Sequence, residues 1–412
     1  MGRLTDDCFA FGGQMIGVEA AAALIQARVA PLAETEAVAL QAARGRVLAE
    51  RLIAPGALPP FFNAAVDGYA FAHQGEAALH LPVAGRVAAG AAPAPLTPGT
   101  AMRIFTGAAM PAGADTVLMQ EDATLEGETL LLPAGLRAGA NCRPAGEDVA
   151  MGATALAAGT RLGPAEIGLA AALGLAFLRC TRPLRVGVFS TGDELAAPGT
   201  VLGPAQTFDS NRFTLLALLG GLPVEACDLG ILPDQPAATA AALARAAATH
   251  DLLLTSGGVS AGEEDHVRAA IEGAGRLVFW RLAVKPGRPA AMGMVAGTPV
   301  LGLPGNPVAA VVCFLHLARP LILRLVGAQE EALPRFPAIA DFHHRKKPGR
   351  REYLRVRLRQ NALMLFADKF DREGAGMLSS LTQSHALCEL PEAMEWVSPG
   401  DTVLVLPFSA LF

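Results

Sequence analysis

The sequence predicts a multidomain protein of α/β and β structure, centred on a three-layer α/β domain with a mostly parallel sheet. The 412 residues are enough for several domains that each bury a core. Between residues 182 and 327, strand-like apolar runs alternate with helix-like segments, as in βαβ units whose sheet is covered on both faces. From about residue 330 onward, short alternating runs such as YLRVRLR indicate a small all-β domain.

Composition and charge narrow the class of protein. Hydrophobic residues make up 52% of the chain and charged residues 17%, which is typical of a globular protein. The formal net charge of −5 gives no general reason to expect nucleic acid as a partner. The start, MGRLTDDCFAFGGQM, lacks the basic and apolar segments of a signal peptide, and no unbroken apolar run reaches the length of about 18 residues that a membrane span needs. We therefore expect a cytoplasmic protein without a membrane segment.

The front of the chain predicts a helical unit that a β-rich segment interrupts. Residues 17–53 contain two helix-like stretches separated at Pro31, and helix-like segments return between 141 and 180. The stretch between them carries short apolar runs and turns such as MPAGAD, which favour strands. The predicted domains are a helical domain at 1–55 and 141–180, an inserted β-rich domain at 56–140, an α/β domain at 181–329 and a C-terminal β domain at 330–412.

The α/β domain follows from its alternating elements. Strands are predicted at 185–190, 224–230, 251–255, 277–284, 290–295 and 299–303, and helices are predicted from 209, 235, 264 and 307. In such sheets, ligands bind beyond the carboxyl ends of the strands. We therefore expect the loops STGDEL (190–195), TSGGVS (255–260) and LPGNP (303–307) to line one crevice.

These loops favour an anionic ligand. Glycine loops that join a strand to a helix present free backbone N–H groups and a helix dipole to a phosphate. None of the loops matches GxxxxGK[ST] or GxGxxG, and any one of them alone is equally well explained as a tight turn. The residues expected to contact the ligand from the loops are Ser190, Thr191, Gly192, Ser256, Gly257, Gly258, Gly305 and Asn306.

Carboxylates follow the same strand ends and suggest a cation between them and the anion. Mg²⁺ near phosphates is usually held by one or two acids, substrate oxygens and water. We assign this role to Glu194 and Asp265, which lie close to the strand ends. Glu263 and Glu264 are better explained as acids that favour a helix start.

Basic residues near the crevice supply the opposite charge. Lys285 and Arg288 flank a Pro-Gly turn in VKPGRP, where they can receive a phosphate or another oxyanion. Arg355, Arg357 and Arg359 alternate with apolar residues and are interpreted as a solvated strand face. The PGR turn at 348–350 is the better candidate for contact with a ligand.

Taken in order, the motifs resemble one family. They are NAAVDGYA, IFTGAAMPAGADTV, RPAGEDV, VFSTGDEL, DSNRFTLLALL, LTSGGVSAGEEDHV, VKPGRPAAMG and GLPGNPVAAVV. Together they resemble the molybdopterin molybdotransferases, the bacterial MoeA proteins and the related E domain of gephyrin. The resemblance runs from about residue 15 to the end, although the last domain matches mainly through its PGR turn.

The resemblance implies an architecture and a reaction. Members of the family are elongated homodimers in which a helical domain with an inserted β-rich domain precedes a three-layer molybdopterin-binding domain and a C-terminal β-barrel. They insert molybdate into adenylylated molybdopterin, release AMP and use Mg²⁺. Molybdopterin adenylyltransferase, apo-molybdoenzymes and the chaperones of those enzymes are the protein partners that the resemblance implies.

The resemblance also implies site residues. Those matched to the reaction are Asp67, Thr106, Asp148, Glu194, Asp234, Asp265 and Lys285, and those matched to ligand binding are Pro304, Pro307, Arg350, Arg281 and Arg288. In the family, the cleft is shared between subunits. This chain departs from the family pattern at Arg281 and Arg288, where lysine is frequent, at Gln235, where a second acid is common, and at Ala375, where serine is common.

Three alternatives remain open at this stage. A molybdopterin adenylyltransferase resembles only the α/β domain. A cofactor carrier or scaffold on the same fold would bind without turnover. A sugar-phosphate or nucleotide-phosphate binder of similar α/β type would bind free nucleotide without the pterin.

Overall fold

A computed structural model describes residues 15–32, 34–75, 79–232, 235–258, 267, 270, 271, 273, 275–361 and 364–412. Its largest unit is a seven-stranded sheet. The strand order is Met15–Ile16, Gly275–Leu282, Pro289–Val295, Thr298–Leu303, Leu252–Ser256, Leu184–Thr191 and Val224–Leu232. Pro289–Val295 is antiparallel to both neighbours, and every other pairing is parallel. The mostly parallel sheet and its six predicted strands are therefore confirmed.

Alternation along the strands places apolar side chains on both faces of this sheet. Leu252 and Leu254 pack on one face, under the helices Val18–Arg28, Asn211–Leu219 and Pro307–Leu325. Leu253 lies on the opposite face, in one cluster with residues of the helix Pro236–Ala247 and with Val267 and Ile271, which are helical. A fully buried leucine contributes roughly 1.5–3 kcal/mol to folding. The three-layer arrangement is thus stabilised from both sides.

The central helix of the first face contains a wide turn. Pro307–Cys313 and Arg319–Leu325 are α-helical, and Phe314–Ala318 between them is a π-helical turn. Pro320 lacks an N–H and would crowd the carbonyl one turn earlier, and a widened turn relieves such a conflict. Among the described residues, Pro307–Leu325 is the one helix long and apolar enough to span a membrane, and 83% of its apolar stretch is buried inside the protein.

The front of the chain confirms one predicted helix and corrects another. Val18–Arg28 is helical and packs on the seven-stranded sheet. The second helix predicted before residue 53 is wrong, because Thr35–Ala39 is a strand paired with Phe177–Thr181. That pairing buries Val38 beside Leu178 and outweighs the helix propensity of the alanines. The helix Pro164–Ala172 is the one that forms between 141 and 180.

A six-stranded sheet fills the β-rich stretch, as predicted. Its order is Thr116–Met119, Gly68–Phe71, Ala101–Ile104, Leu79–Val87, Thr129–Leu132 and Thr124–Glu126. Asn63–Ala64 pairs separately with Cys142–Arg143, and Leu52–Ile53 pairs with Thr154–Leu156. Segments that precede the six-stranded sheet in the sequence therefore pair with segments that follow it. The domain boundaries given above remain our proposal.

The C-terminal part is a closed barrel. Arg351–Asn361 pairs with both Met364–Lys369 and Ala386–Leu390, and Phe336–Ala340 and Thr402–Pro407 complete the ring. The expectation of one solvated basic face on the first of these strands is wrong for Arg355. Only 8% of Arg355 is exposed, because its guanidinium bonds to Ser380 Oγ and to the Gly374 carbonyl.

Candidate functional site

The three predicted loops meet at one cavity at the carboxyl ends of the parallel strands. We call it the strand-end cavity; its volume is ≈ 330 Å³. The residues predicted for the site that line it are Ser190, Thr191, Glu194, Ser256, Gly257, Gly305, Asn306 and Pro307. Gly376 and Leu378 of the barrel part also line it, so the sheet and the barrel share this surface.

Close backbone packing explains the glycines of the second loop. Gly257 has φ +92°, and a Cβ there would lie 2.8 Å from the carbonyl oxygen of Thr191. Gly258 has φ +66°, and its Cβ would lie 2.8 Å from the Thr191 hydroxyl. Glycine is therefore required both by conformation and by space.

Two helices begin at the cavity. Asn211 and Pro307 are the first residues of their helices, and both line the cavity. The N-terminal end of a helix carries a partial positive charge, which favours an anion. Pro307 has no N–H, and the N–H groups of Val308 and Arg212 already bond to the Ala375 carbonyl and to Asp209, so the helix dipoles are the main attraction here. The cavity can thus receive a phosphate or a similar oxyanion without a nucleotide-binding motif.

Two buried polar atoms at the cavity have no partner among the described residues. They are the hydroxyl oxygen of Thr191 and the side-chain carbonyl oxygen of Asn211. Thr191 is 5% exposed and Asn211 is 8% exposed. Leaving such a group unsatisfied costs about 1–3 kcal/mol, so a ligand or water that bonds to these atoms is stabilised.

An ion-pair chain supports the cavity wall. Ser190 Oγ donates to Asp209 at 3.0 Å, and Arg212 Nε bonds to the other carboxyl oxygen at 2.8 Å. Arg212 also pairs with Asp228. Burial opposes charge on Arg212, but the bonds to the two aspartates outweigh it and raise the pKa of the guanidinium. Both carboxyl oxygens of Asp209 are therefore engaged in hydrogen bonds within the cavity wall.

The acids predicted for magnesium are only partly within the described residues. Glu194 is exposed and lines the cavity, next to Gly192, whose added Cβ would collide with the Glu194 carboxylate at 2.4 Å. Asp265 and Asp234 lie outside the described residues. Among the described residues, no group of three His, Cys, Asp or Glu could hold a metal ion alone. One carboxylate at an anion cavity nevertheless fits Mg²⁺, which commonly keeps waters and binds substrate phosphates.

Comparison with known proteins identifies the family. Family models match residues 16–174 as the MoeA N-terminal region (domains I and II), 187–324 as a probable molybdopterin binding domain and 337–408 as the MoeA C-terminal region (domain IV). A molybdopterin molybdenumtransferase of Haemophilus influenzae is 40% identical over 383 residues, which cover 92% of this chain and 95% of that protein. The chain belongs to the molybdopterin molybdenumtransferase family.

Further relatives agree with this assignment. A molybdopterin molybdenumtransferase of Nostoc sp. is 35% identical and covers 90% of this chain and 88% of its own length. The crystal structure of a molybdopterin biosynthesis moeA protein from Pyrococcus horikoshii has a TM-score of 0.81 and 29% identity, over 96% of this chain and 100% of that one. The predicted family and fold class are confirmed.

The basic residues predicted for the site do not line the strand-end cavity among the described residues. Lys285 Nζ pairs with Glu352 at 2.7 Å, where Val284–Lys285 runs beside the first barrel strand. Burial alone would raise the pKa of Glu352, but its close contact with His344 and its hydrogen bond from Lys285 outweigh burial and lower the pKa. Arg288 is exposed and Arg350 is half-buried. Of Arg281, the structure describes the backbone, which pairs with Met15 and Pro289.

The front motifs of this transferase form a separate group. Thr106 donates to Asp67 Oδ1 through its backbone N–H and its hydroxyl, both at 2.7 Å. These bonds favour the ionised carboxylate and lower the pKa of Asp67. Asp148 is exposed, and its backbone N–H bonds to the Leu58 carbonyl. The described lining of the strand-end cavity includes none of these three residues.

A larger cavity of ≈ 680 Å³ lies elsewhere, between residues 44–46, 161–166 and 220–224. It is lined by none of the three strand-end loops, and two of its three arginines, Arg46 and Arg161, pair with Glu36 and Glu331. The larger of these two cavities is therefore not the one that the predicted loops form.

Sequence reasoning missed Asp209 and Asn211, which line the strand-end cavity. It interpreted Asp209-Ser210-Asn211 as the start of a helix and counted DSNRFTLLALL among the family motifs, but it assigned neither Asp209 nor Asn211 to the ligand site. The available signal was position, since a helix that follows a strand of a parallel sheet begins at the same edge as the glycine loops. Polar residues at that helix start were candidates on the same grounds as the loops.

Proposed function

We propose that the protein inserts molybdate into adenylylated molybdopterin and releases AMP. The observation that carries the proposal is the strand-end cavity, where two helix N-termini, glycine loops and unpartnered polar atoms converge. The helix N-termini, the glycine loops and the Thr191 hydroxyl favour the phosphates of an adenylylated pterin, whereas the Asn211 carbonyl oxygen can only accept, for example from water. Family membership supports the proposal, because relatives along nearly the full chain carry the name molybdopterin molybdenumtransferase.

Roles for individual residues follow from chemistry and position. Ser256, Gly257 and Gly258 would contact the ligand through the second loop, and Lys285 with Arg288 would supply positive charge. The remaining residues that we propose for the site, from the matched motifs and loops, are Asp67, Thr106, Asp148, Ser190, Thr191, Gly192, Asp234, Arg281, Pro304, Gly305, Asn306, Pro307 and Arg350.

Magnesium is part of this proposal. Glu194 and Asp265 would hold Mg²⁺ together with substrate phosphate oxygens and water. When bound, the ion would neutralise charge that develops on the phosphates as AMP leaves. The residues of the chain itself would bind and orient the phosphates through backbone N–H groups and would exclude bulk water from the cavity.

We also propose a cytoplasmic homodimer whose cleft is shared between subunits. The Asp67–Thr106 pair lies outside the described lining of the strand-end cavity, so a second subunit is one way to bring them together. Molybdopterin adenylyltransferase would supply the substrate, and apo-molybdoenzymes or their chaperones would receive the product.

The test is AMP release from purified protein with adenylylated molybdopterin, Mg²⁺ and molybdate. Parallel samples omit molybdate or replace Mg²⁺ with excess chelator. We expect AMP release that depends on both, and a product that activates an apo-molybdoenzyme. Tight binding of adenylylated molybdopterin without molybdate-dependent AMP release would instead identify a carrier or scaffold, and binding of free nucleotide alone would contradict the pterin substrate.

A further inference from the structure

Two serines stand side by side at the carboxyl ends of neighbouring strands. Ser190 and Ser256 are paired in register in the seven-stranded sheet, and both line the strand-end cavity. They are 0% and 3% exposed. Each hydroxyl has one proton to donate, so the hydrogen-bonding direction of each decides what the cavity offers to a ligand.

The direction of the Ser190 hydroxyl is fixed by Asp209. An aspartate carboxylate only accepts hydrogen bonds, so the Ser190 hydroxyl donates its proton to Asp209 over 3.0 Å. The carboxylate itself is held by Arg212. Ser190 therefore has no proton left for an oxyanion in the cavity.

The Ser256 hydroxyl has the opposite role, because its oxygen accepts a hydrogen bond from Asn211. The Asn211 side-chain nitrogen is 2.7 Å from the carbonyl oxygen of Gly305, which only accepts. This contact determines which end of the amide is the NH₂ group. The same NH₂ group lies 2.8 Å from Ser256 Oγ and donates to it, so the Ser256 proton is free to point elsewhere. No other hydrogen bond of Ser256 Oγ to a described residue is present.

We propose that Asn211 is a positioning residue that orients the Ser256 hydroxyl as a hydrogen-bond donor to a tetrahedral oxyanion in the strand-end cavity. The oxyanion is a phosphate of adenylylated molybdopterin or molybdate itself. By joining Ser256 to Gly305, Asn211 also sets the spacing between the second and third loops. This inference rests on the proposed function for the identity of the ligand.

The first measurement is a double-mutant cycle on the dissociation constant of adenylylated molybdopterin, without molybdate. If the oxyanion is a phosphate, Asn211→Ala and Ser256→Ala should each weaken binding about tenfold, which is typical of a lost hydrogen bond to a charged group. Because Asn211 acts through Ser256, the double variant should also bind about tenfold more weakly, not about a hundredfold. Independent effects that multiply would overturn the proposal, and so would wild-type behaviour of Asn211→Ala both in this measurement and in the molybdate titration described below.

A pH arm separates orientation of the hydroxyl from loop tethering alone. In Asn211→Asp the carboxylate accepts the Ser256 proton and repels the oxyanion, so at pH 8 this variant should bind more weakly than Asn211→Ala. An aspartate at this buried position next to an oxyanion should have a pKa above the ordinary value of about 3.9, so lowering the pH to 5 should recover part of the affinity, taken as a ratio to wild type at each pH. A ratio that does not change with pH contradicts the proposal. Asn141→Asp is the matched control, since it loses an amide donor to the Val117 carbonyl outside the cavity, and it should bind like wild type.

The two oxyanions are distinguished by a molybdate titration of AMP release. If Ser256 binds phosphate, Asn211→Ala and Ser256→Ala weaken substrate binding and leave the half-saturating molybdate concentration unchanged. If it binds molybdate, that concentration rises about tenfold in both.

A coupled cycle without molybdate-dependent AMP release would support this inference and reject the proposed function, whereas AMP release with an uncoupled cycle would do the reverse. Failure of wild type to bind adenylylated molybdopterin would overturn both.

Discussion

Two hydrogen bonds from one residue control the charge of Asp67. The backbone N–H bond and the hydroxyl bond of Thr106 lower the pKa of this carboxyl group in the folded protein. A depressed folded-state pKa stabilises the protein above the unfolded pKa, and this contribution is lost as the pH falls through the folded value. Ionised Asp67 is therefore available to a cation or a positively charged ligand at neutral pH.

Removal of the hydroxyl should move that pKa in a known direction. Thr106→Val keeps the shape and the backbone bond but loses the hydroxyl bond, so the pKa of Asp67 should rise without reaching its ordinary value. The carboxyl carbon shift of ¹³C-labelled aspartate, followed against pH, measures it. Thr100→Val removes a hydroxyl bonded to the Thr97 carbonyl instead and should leave the Asp67 titration unchanged. An unchanged or lower pKa in Thr106→Val would contradict the assignment.

The close approach of two loops should make Gly257 sensitive to a single methyl group. Gly257→Ala forces a left-handed conformation on alanine and places its Cβ 2.8 Å from the Thr191 carbonyl. Gly99 also has positive φ, +78°, but an added Cβ there meets nothing within 4 Å. Both variants carry backbone strain of roughly 1 kcal/mol, and only Gly257→Ala adds a steric clash.

We therefore expect a lower melting temperature for Gly257→Ala than for Gly99→Ala, together with weaker binding of adenylylated molybdopterin. Gly99→Ala should bind like wild type. Calorimetric melting and equilibrium binding measure the two effects. Equal losses of stability and affinity in the two variants would mean that backbone strain, and not the contact with Thr191, makes glycine necessary.

The central helix contains a buried histidine that should destabilise the protein in acid. His316 lies in the π-helical turn Phe314–Ala318 and is 4% exposed. Burial lowers its pKa to about 3, and three nearby guanidinium groups add to the effect. They belong to Arg335, Arg351 and Arg319. The folded protein therefore keeps this imidazole neutral where the unfolded chain would bind a proton.

Below the ordinary histidine pKa of about 6.5, the unfolded state should be favoured by up to about 1.4 kcal/mol per pH unit, until the folded value of about 3 is reached. His316→Leu removes this titration, so its melting temperature should fall less between pH 8 and pH 5 than that of wild type. His343→Gln, which replaces an exposed imidazole, should follow the wild-type curve. A wild-type pH dependence in His316→Leu would show that other groups cause the acid sensitivity.

Strands and helices of the α/β part were predictable because their periodicity and length are local properties of the sequence. The strand Thr35–Ala39 was not, because its partner Phe177–Thr181 lies far along the chain and short alanine-rich segments suit either structure. The burial of Arg355 was missed for the same reason, since Ser380 and Gly374 come from later parts of the chain. The convergence of the glycine loops was predictable from sheet topology. The direction in which the Ser256 hydroxyl donates was not, because it depends on the side chain of Asn211, which belongs to a separate helix.

Ion pairs and backbone bonds join the parts of the chain at positions distant in sequence. Arg351 of the barrel reaches Glu19 of the first helix at 2.5 Å, and Gln329 N donates to the Gly159 carbonyl at 2.8 Å. Val308 N, at the start of the central helix, donates to the Ala375 carbonyl at 3.0 Å. The strand-end cavity is therefore held between the sheet and the barrel of one chain, and its described lining includes none of the front motif residues Asp67, Thr106 and Asp148.

A shared cleft makes a quantitative prediction for mixed dimers. Asp67→Asn alters the front motif, and Glu194→Gln alters the strand-end cavity. If each cleft combines the front motif of one subunit with the cavity of the other, a dimer of one variant of each kind has one intact cleft and one that carries both substitutions. Heterodimers purified by two different tags should then release AMP at about half the wild-type rate per dimer, although each homodimer is impaired.

The reciprocal pairing is the control that decides the matter. A subunit carrying both substitutions, paired with a wild-type subunit, contains the same two changes but distributes them differently. With a shared cleft, each cleft receives one substitution and the heterodimer stays impaired; with a cleft inside one subunit, the wild-type half remains intact and about half the activity is kept. The two heterodimers must therefore show opposite results. A rate near half in the reciprocal pairing, together with an impaired first pairing, would place the Asp67–Thr106 pair and the strand-end cavity in the same subunit's cleft.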